Sequence, residues 1–234
     1  MGDRPNIRKE VIEVEYDDEH WKLLEKLQIK ALNLMEKFRS CNINTLIYGS
    51  IARGDVKVGS DIDIFVTAPI SSIHVEWVLE KFKIKPLRRI LIQATPFYAP
   101  KGYFEIEELI SISFPLVKLR KTEREFYKFA GEISIEDFEE KKRVAGVDKK
   151  LILIEPRKSG HLESNIIGHE AYISKKLRIN IDTVFERVRV LTKRSKIGRT
   201  GRYIEMEISK DENFESVLKK IADSNYPLRK RLRT

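Results

Sequence analysis

The chain has 234 residues, 41% of them hydrophobic, which suffices for a real core in one large domain or two small ones. No apolar run approaches the ~18 residues of a membrane helix, Met1-Gly2-Asp3-Arg4-Pro5 carries no apolar signal region, and a myristoylation motif wants Ser or Thr where Asn6 stands. A cytoplasmic protein with no membrane partner is therefore expected, and the single cysteine, Cys41, excludes an internal disulfide or a cysteine zinc cluster.

Charged residues make up 35% of the chain and Gln28 and Gln93 are the only glutamines, a composition that points to a thermophilic source. The net charge of +9 is uneven: residues 1–140 hold 21 Lys and Arg against 24 Asp and Glu, while 141–234 hold 24 against 12. The C-terminal part is thus the one that suits a polyanionic partner.

In chain order, residues 10–16 roughly alternate polar and apolar, as a strand does, and Asp17 and Asp18 can cap a following helix. Trp21, Leu24, Leu27, Ala31, Leu34, Met35 and Phe38 recur on one face of that helix and predict a core stripe. Asn44 to Tyr48 reads as a strand, 51–58 as a short helix or turn, Asp61 to Val66 as a strand and 72–84 as a helix. Strands follow at 89–98, 103–107 and 109–114, then a helix at about 122–130. Beyond residue 131 the expected elements are a strand at 150–155, helices at 164–178 and 181–194, a strand at 203–208, a helix at 212–224 and a basic tail at 229–233. The division this suggests is 1–135 and 136–234.

The stretch with chemical content is Tyr48-Gly49-Ser50-Ile51-Ala52-Arg53-Gly54-Asp55, followed by Gly59-Ser60-Asp61-Ile62-Asp63-Ile64. On a strand Asp61 and Asp63 point to the same side. Two carboxylates that close repel unless a cation lies between them, and oxygen-only ligation suits magnesium. Two such ions can clamp the attacking and leaving oxygens of a phosphoryl or nucleotidyl transfer. Gly49 lets a phosphate approach the backbone, the turn at Ser50 opens a helix whose N–H groups favour an anion, and Arg53 lies one turn on. No Gly-Lys-Ser/Thr follows, so the turn is not a P-loop.

This order, Gly-Ser, Arg-Gly, then Ser-Asp-Ile-Asp, resembles the signature of the polymerase-β nucleotidyltransferase superfamily over roughly residues 20–115. The resemblance implies an α+β fold with a mixed sheet flanked by helices, a nucleoside triphosphate donor such as ATP, and magnesium, two ions in the usual case. It implies Asp61 and Asp63 as metal ligands and Gly49, Ser50, Arg53 and Ser60 as the nucleotide's contacts. Family members usually carry a third carboxylate on a neighbouring strand, where Glu105 and Glu107 are the candidates. The run from Thr95 to Glu107 weakly resembles the corresponding hairpin of archaeal CCA-adding enzymes, which would put Glu107 at the catalytic and metal-binding position, where Asp is commoner.

The basic C-terminal part, 136–234, holds two helical stretches joined at Ile179-Asn180, an arrangement similar to a helix-turn-helix. Gly198-Arg199-Thr200-Gly201-Arg202 and the strand after it look like the wing of a winged helix. Arg187, Arg189, Lys193, Arg194, Lys196, Arg199 and Arg202 are the expected nucleic-acid contacts, RNA or DNA, although the glycine-arginine run could instead close over a triphosphate. Three functions stand open: a nucleotidyltransferase acting on a nucleic-acid hydroxyl, a nucleic-acid-binding regulator with a nucleotide-sensing or inert domain, and a protein-modifying nucleotidyltransferase.

Overall fold

A computed structural model describes residues 11–198 and 201–233. The elements run β1 (Ile12–Glu15), α1 (Asp18–Arg39), β2 (Thr45–Tyr48), α2 (Ser50–Arg53), β3 (Ile62–Val66), α3 (Ser72–Lys81), β4 (Arg88–Gln93), β5 (Lys101–Glu107), β6 (Ile110–Pro115) and α4 (Lys121–Ala130). They continue β7 (Glu132–Ile133), α5 (Ile135–Glu139), β8 (Gly146–Val147), β9 (Ile152–Arg157), β10 (Gly160–Asn165), α6 (Glu170–Leu177), α7 (Ile181–Ile197), β11 (Ile204–Glu207), α8 (Phe214–Ser224) and α9 (Tyr226–Leu232). No helix among the described residues is long and apolar enough to cross a membrane.

The chain forms two compact units, each assembled from three segments. The first takes residues up to 32, 47–60 and 121–200, and the second takes 33–46, 61–120 and 201 onward. α1 and β2 run from one unit into the other. α1 starts where expected because the Asp17 carboxylate accepts the His20 N–H at 2.8 Å. Its stripe is buried at Leu24, Ala31, Leu34, Met35 and Phe38.

In the first unit β1, β10, β9 and β8 form an antiparallel sheet in that order. Its core gathers Phe129 from α4, Val147, Leu151 and Leu153 from the β8–β9 region, and Ile173, Val184 and Leu191 from α6 and α7. The sequence predicts a helix from 164, but 160–165 is strand β10, folded back on β9 with Gly160 opposite Arg157 and Leu162 opposite Glu155. Helix α6 therefore begins only at Glu170.

In the second unit the strand order is β11-β4-β5-β6-β3, with β2 next to β3. β4, β5 and β6 are antiparallel meanders, β11 pairs antiparallel with β4, and β3 runs parallel to β6. Gly102 has a packing reason: it lies opposite Phe114, and a Cβ there would sit 2.2 Å from the ring. Phe114 stacks with Phe104 at 5.7 Å, and Phe214 of α8 meets both edge-on at 5.3 Å. The basic tail is helix α9, and its Arg231 is buried with a guanidinium N–H donated to the Lys118 carbonyl at 2.8 Å.

Candidate active site

The motif supplies residues to both units, and each set has its own surroundings. In the first unit β2 ends at Tyr48, and Gly49 turns the chain into the four-residue α2 with φ of 91°, a left-handed-side conformation that favours glycine. The Gly49 N–H donates to the Gly131 carbonyl at 2.9 Å, which fixes the turn to the segment after α4. Arg53 is buried. It donates one N–H to the Ala130 carbonyl at 2.6 Å and pairs with Asp55 at 2.8 Å. Its guanidinium is thus committed inside the unit, where sequence reasoning expects a nucleotide contact. Ser60, expected in the same role, accepts the Lys57 N–H on its hydroxyl at 2.9 Å and returns its own N–H to the Lys57 carbonyl. It closes the turn that ends directly before Asp61.

In the second unit Asp61 is exposed at the mouth of β3 and Asp63 is half-buried, with buried Ile62 between them. Asp61 directly precedes β3 and Asp63 is the second residue of that strand. The strand beside β3 is β6, and Ser111 is the residue directly across from Asp63. The Ser111 hydroxyl donates to Asp63 Oδ1 at 2.8 Å. One strand further, Glu105 of β5 lies across from Ser111, and Arg88 of β4 lies across from Glu105. The same face therefore carries a row of Asp63, Ser111, Glu105 and Arg88. Glu105 faces the far end of that row, 3.4 Å from Arg88, which also pairs with Glu207 at 3.2 Å. Glu107 is exposed and lies opposite Ile110, past an irregularity in the β5–β6 register.

Tyr103 and Lys101 share this side of β5. Burial pushes the Tyr103 phenol up to about 12, and the Asp63 charge adds to the effect, so the phenol is a neutral donor at physiological pH. The ammonium of Lys101 lies 5.6 Å from the centre of the Phe65 ring. Sequence reasoning misses Ser111, Tyr103 and Lys101, because only the pairing of strands brings them to the Asp63 face.

The donor set fits a magnesium ion in one way. Two hard carboxylates suffice when the ion keeps its waters and shares its remaining positions with a nucleotide's phosphates. Among the described residues no three His, Cys, Asp or Glu side chains stand close enough to form a cage of their own.

The helix pair of the first unit is well defined. α6 ends at Arg178 in the left-handed conformation, and Asn180 caps α7 by accepting the Asp182 N–H at 2.8 Å. Buried Glu125 of α4 holds this start in place, accepting from the Asn180 N–H at 3.0 Å and the Thr183 hydroxyl at 2.6 Å. Arg189, Lys193, Arg194 and Lys196 are exposed along α7. Arg187 instead packs 4.8 Å over the Phe126 ring, and burial lowers its pKa to about 10, so it still carries its proton at neutral pH. Arg199 lies outside the described residues. Arg202 belongs to the second unit and pairs with Glu205 at 2.6 Å. The strand expected as a wing, β11, is an edge strand of the second unit's sheet, with Ile204 across from Gln93 and Glu207 across from Ile90.

A glycine turn into a short helix, followed by Asp61 and Asp63 at the start of a strand of a mixed sheet, points to a nucleotide-handling class of protein. The chain belongs to the nucleotidyltransferase domain family, whose model matches residues 29–211. That membership makes nucleotidyl transfer from a nucleoside triphosphate its general chemistry. No curated protein and no solved structure matches the chain.

Proposed function

We propose that this protein is a magnesium-dependent nucleotidyltransferase that moves a nucleoside monophosphate onto a hydroxyl of a nucleic acid. The observation that carries the reading is the pair of Asp61, exposed directly before β3, and Asp63, half-buried on it, within a family match that spans both motif halves. In this reading Asp61 and Asp63 are the ion's ligands. Magnesium, when bound, offsets the phosphate charge and draws electron density from the α-phosphorus. The acceptor oxygen forms its bond to that phosphorus, the bond to the bridging oxygen breaks, and pyrophosphate leaves with the electron pair. Ser111 holds Asp63 in orientation by its hydrogen bond. The neutral Tyr103 phenol adds a donor on the same side of the sheet. The nucleic-acid acceptor is supported by the surplus of 24 Lys and Arg over 12 Asp and Glu in residues 141–234, and by the exposed basic residues of α7.

One observation favours a second reading. The strand beside Asp63 offers a serine and no carboxylate, which suits a regulator that binds a nucleotide and turns it over poorly, if at all. The deciding experiment is incubation with magnesium, each α-labelled nucleoside triphosphate and total RNA, with the double substitution Asp61→Ala/Asp63→Ala as control. Label on RNA from the wild type alone is the expected result. Label on protein would move the assignment to a protein-modifying enzyme. No transfer, together with retained nucleotide and RNA binding, would leave the regulator.

A further inference from the structure

We infer that Ser111 stands where a third carboxylate would complete a second cation position, so that Asp61 and Asp63 hold a single divalent ion together with the nucleotide. The inference rests on the nucleotidyltransferase reading above and specifies the metal content and proton handling of its site.

Neighbouring strands lie about 4.8 Å apart, so the positions nearest to Asp63 for a carboxylate that would share its ion are on β3 itself and on its paired strand β6. On β6 the residue across from Asp63 is Ser111, and its hydroxyl points at the carboxylate, 2.8 Å from Oδ1. The two glutamates belong to β5, about twice that spacing away, with β6 between. Glu105 would have to reach back across Ser111, and its carboxylate instead lies beside Arg88. Glu107 is displaced along the strand by the register irregularity and lies opposite Ile110.

Charge gives the same answer. Two divalent ions about 4 Å apart repel strongly, and protein carboxylates add to the charge with which the triphosphate offsets that repulsion. Asp61 and Asp63 balance one divalent ion. A serine hydroxyl adds a dipole and no charge, and its proton is already donated to Asp63. A serine hydroxyl is also too weak a base at neutral pH to take the acceptor's proton. In this chain that proton leaves to water.

The test counts manganese ions by electron paramagnetic resonance, with an ATP analogue bearing a methylene between the α- and β-phosphates. One ion per chain is expected for the wild type and for Ser111→Asn, and two for Ser111→Asp. With ATP and RNA, Ser111→Asp is expected to raise the transfer rate at least tenfold. Two ions in the wild type would overturn the inference and leave the proposed function standing. So would a single ion in Ser111→Asp when its melting curve matches the wild type. Absence of any manganese–nucleotide complex in all three proteins would overturn the inference and the proposed function together. If Ser111→Asp fails to fold, the wild-type count still decides.

Discussion

The two halves of the motif use their charged residues in opposite ways. In Arg53-Gly54-Asp55 the charges turn inward: the pair is 2.8 Å apart, with side chains only 6% and 17% exposed, and it ties α2 to the end of α4. In Asp61-Ile62-Asp63 the charges turn outward, and the apolar residue between them carries the packing. On the proposed reading one half of the motif serves architecture and the other half chemistry, although both read as functional in the sequence. Substitutions should separate them. Arg53→Ala leaves the partly buried Asp55 without its partner and should cost about 2–4 kcal/mol of stability in urea unfolding, somewhat below the usual penalty for breaking a fully buried pair. A cost below about 1 kcal/mol would place Arg53 among ordinary surface charges instead. Asp63→Ala should do the reverse. It should leave the unfolding midpoint nearly unchanged and lower label transfer by on the order of 10²–10³-fold, the effect of losing one dedicated charge-stabilising group. A variant that loses stability but keeps transfer would reverse the assignment of the two halves.

The same contrast sets what was legible in the sequence. Local patterns are read correctly: the α1 stripe, the strand that carries Asp63 and the Asn180 boundary between α6 and α7 each depend on residues close in the chain. What depends on strand pairing is not. Nothing within residues 101–115 says that β6, rather than β5, lies beside β3, so two glutamates look equivalent as third ligands and Ser111 draws no attention. β10 is missed because His161-Leu162-Glu163-Ser164-Asn165 has little apolar content, and its strand character comes from pairing with both β1 and β9. A sequential split near residue 135 follows composition, whereas the two compact units interleave: 121–200 joins the N-terminal segment, and the stretch from 201 returns to add β11 to the sheet that carries Asp63. The sign of a residue's role fails for a related reason. Whether an arginine faces a ligand or a carbonyl is a tertiary property, as Arg53, Arg187 and Arg231 show.

A smaller effect tests the link between α4 and the helix pair. Glu125→Ala removes the acceptor for both the Asn180 N–H and the Thr183 hydroxyl, and should destabilise the protein by about 1–3 kcal/mol, the cost of leaving buried donors unpaired. Glu125→Gln keeps an acceptor oxygen and should lose less. Equal losses for the two would mean that the charge matters more than the hydrogen bonds. Neither variant touches the Asp63 row, so nucleotide binding at saturating ligand should survive both.

The smallest expected effect separates architecture from interface within α7 itself. Lys193 and Lys196 are exposed, whereas Arg187 lies against Phe126. If α7 meets phosphates, each lysine that releases a counterion on binding contributes about 0.7–0.9 to the slope of log affinity against log salt, the lower value for a single strand. Lys193→Ala and Lys196→Ala should each flatten that slope by this amount in anisotropy titrations of a labelled RNA. Arg187→Ala should leave the slope alone and lower the melting temperature, because its guanidinium serves the packing of α7 on α4. A slope that both lysine substitutions leave intact would remove α7 from the interface. A slope that Arg187→Ala flattens would mean that this arginine leaves Phe126 when nucleic acid binds, and that the inward and outward charges of the first unit exchange roles on binding.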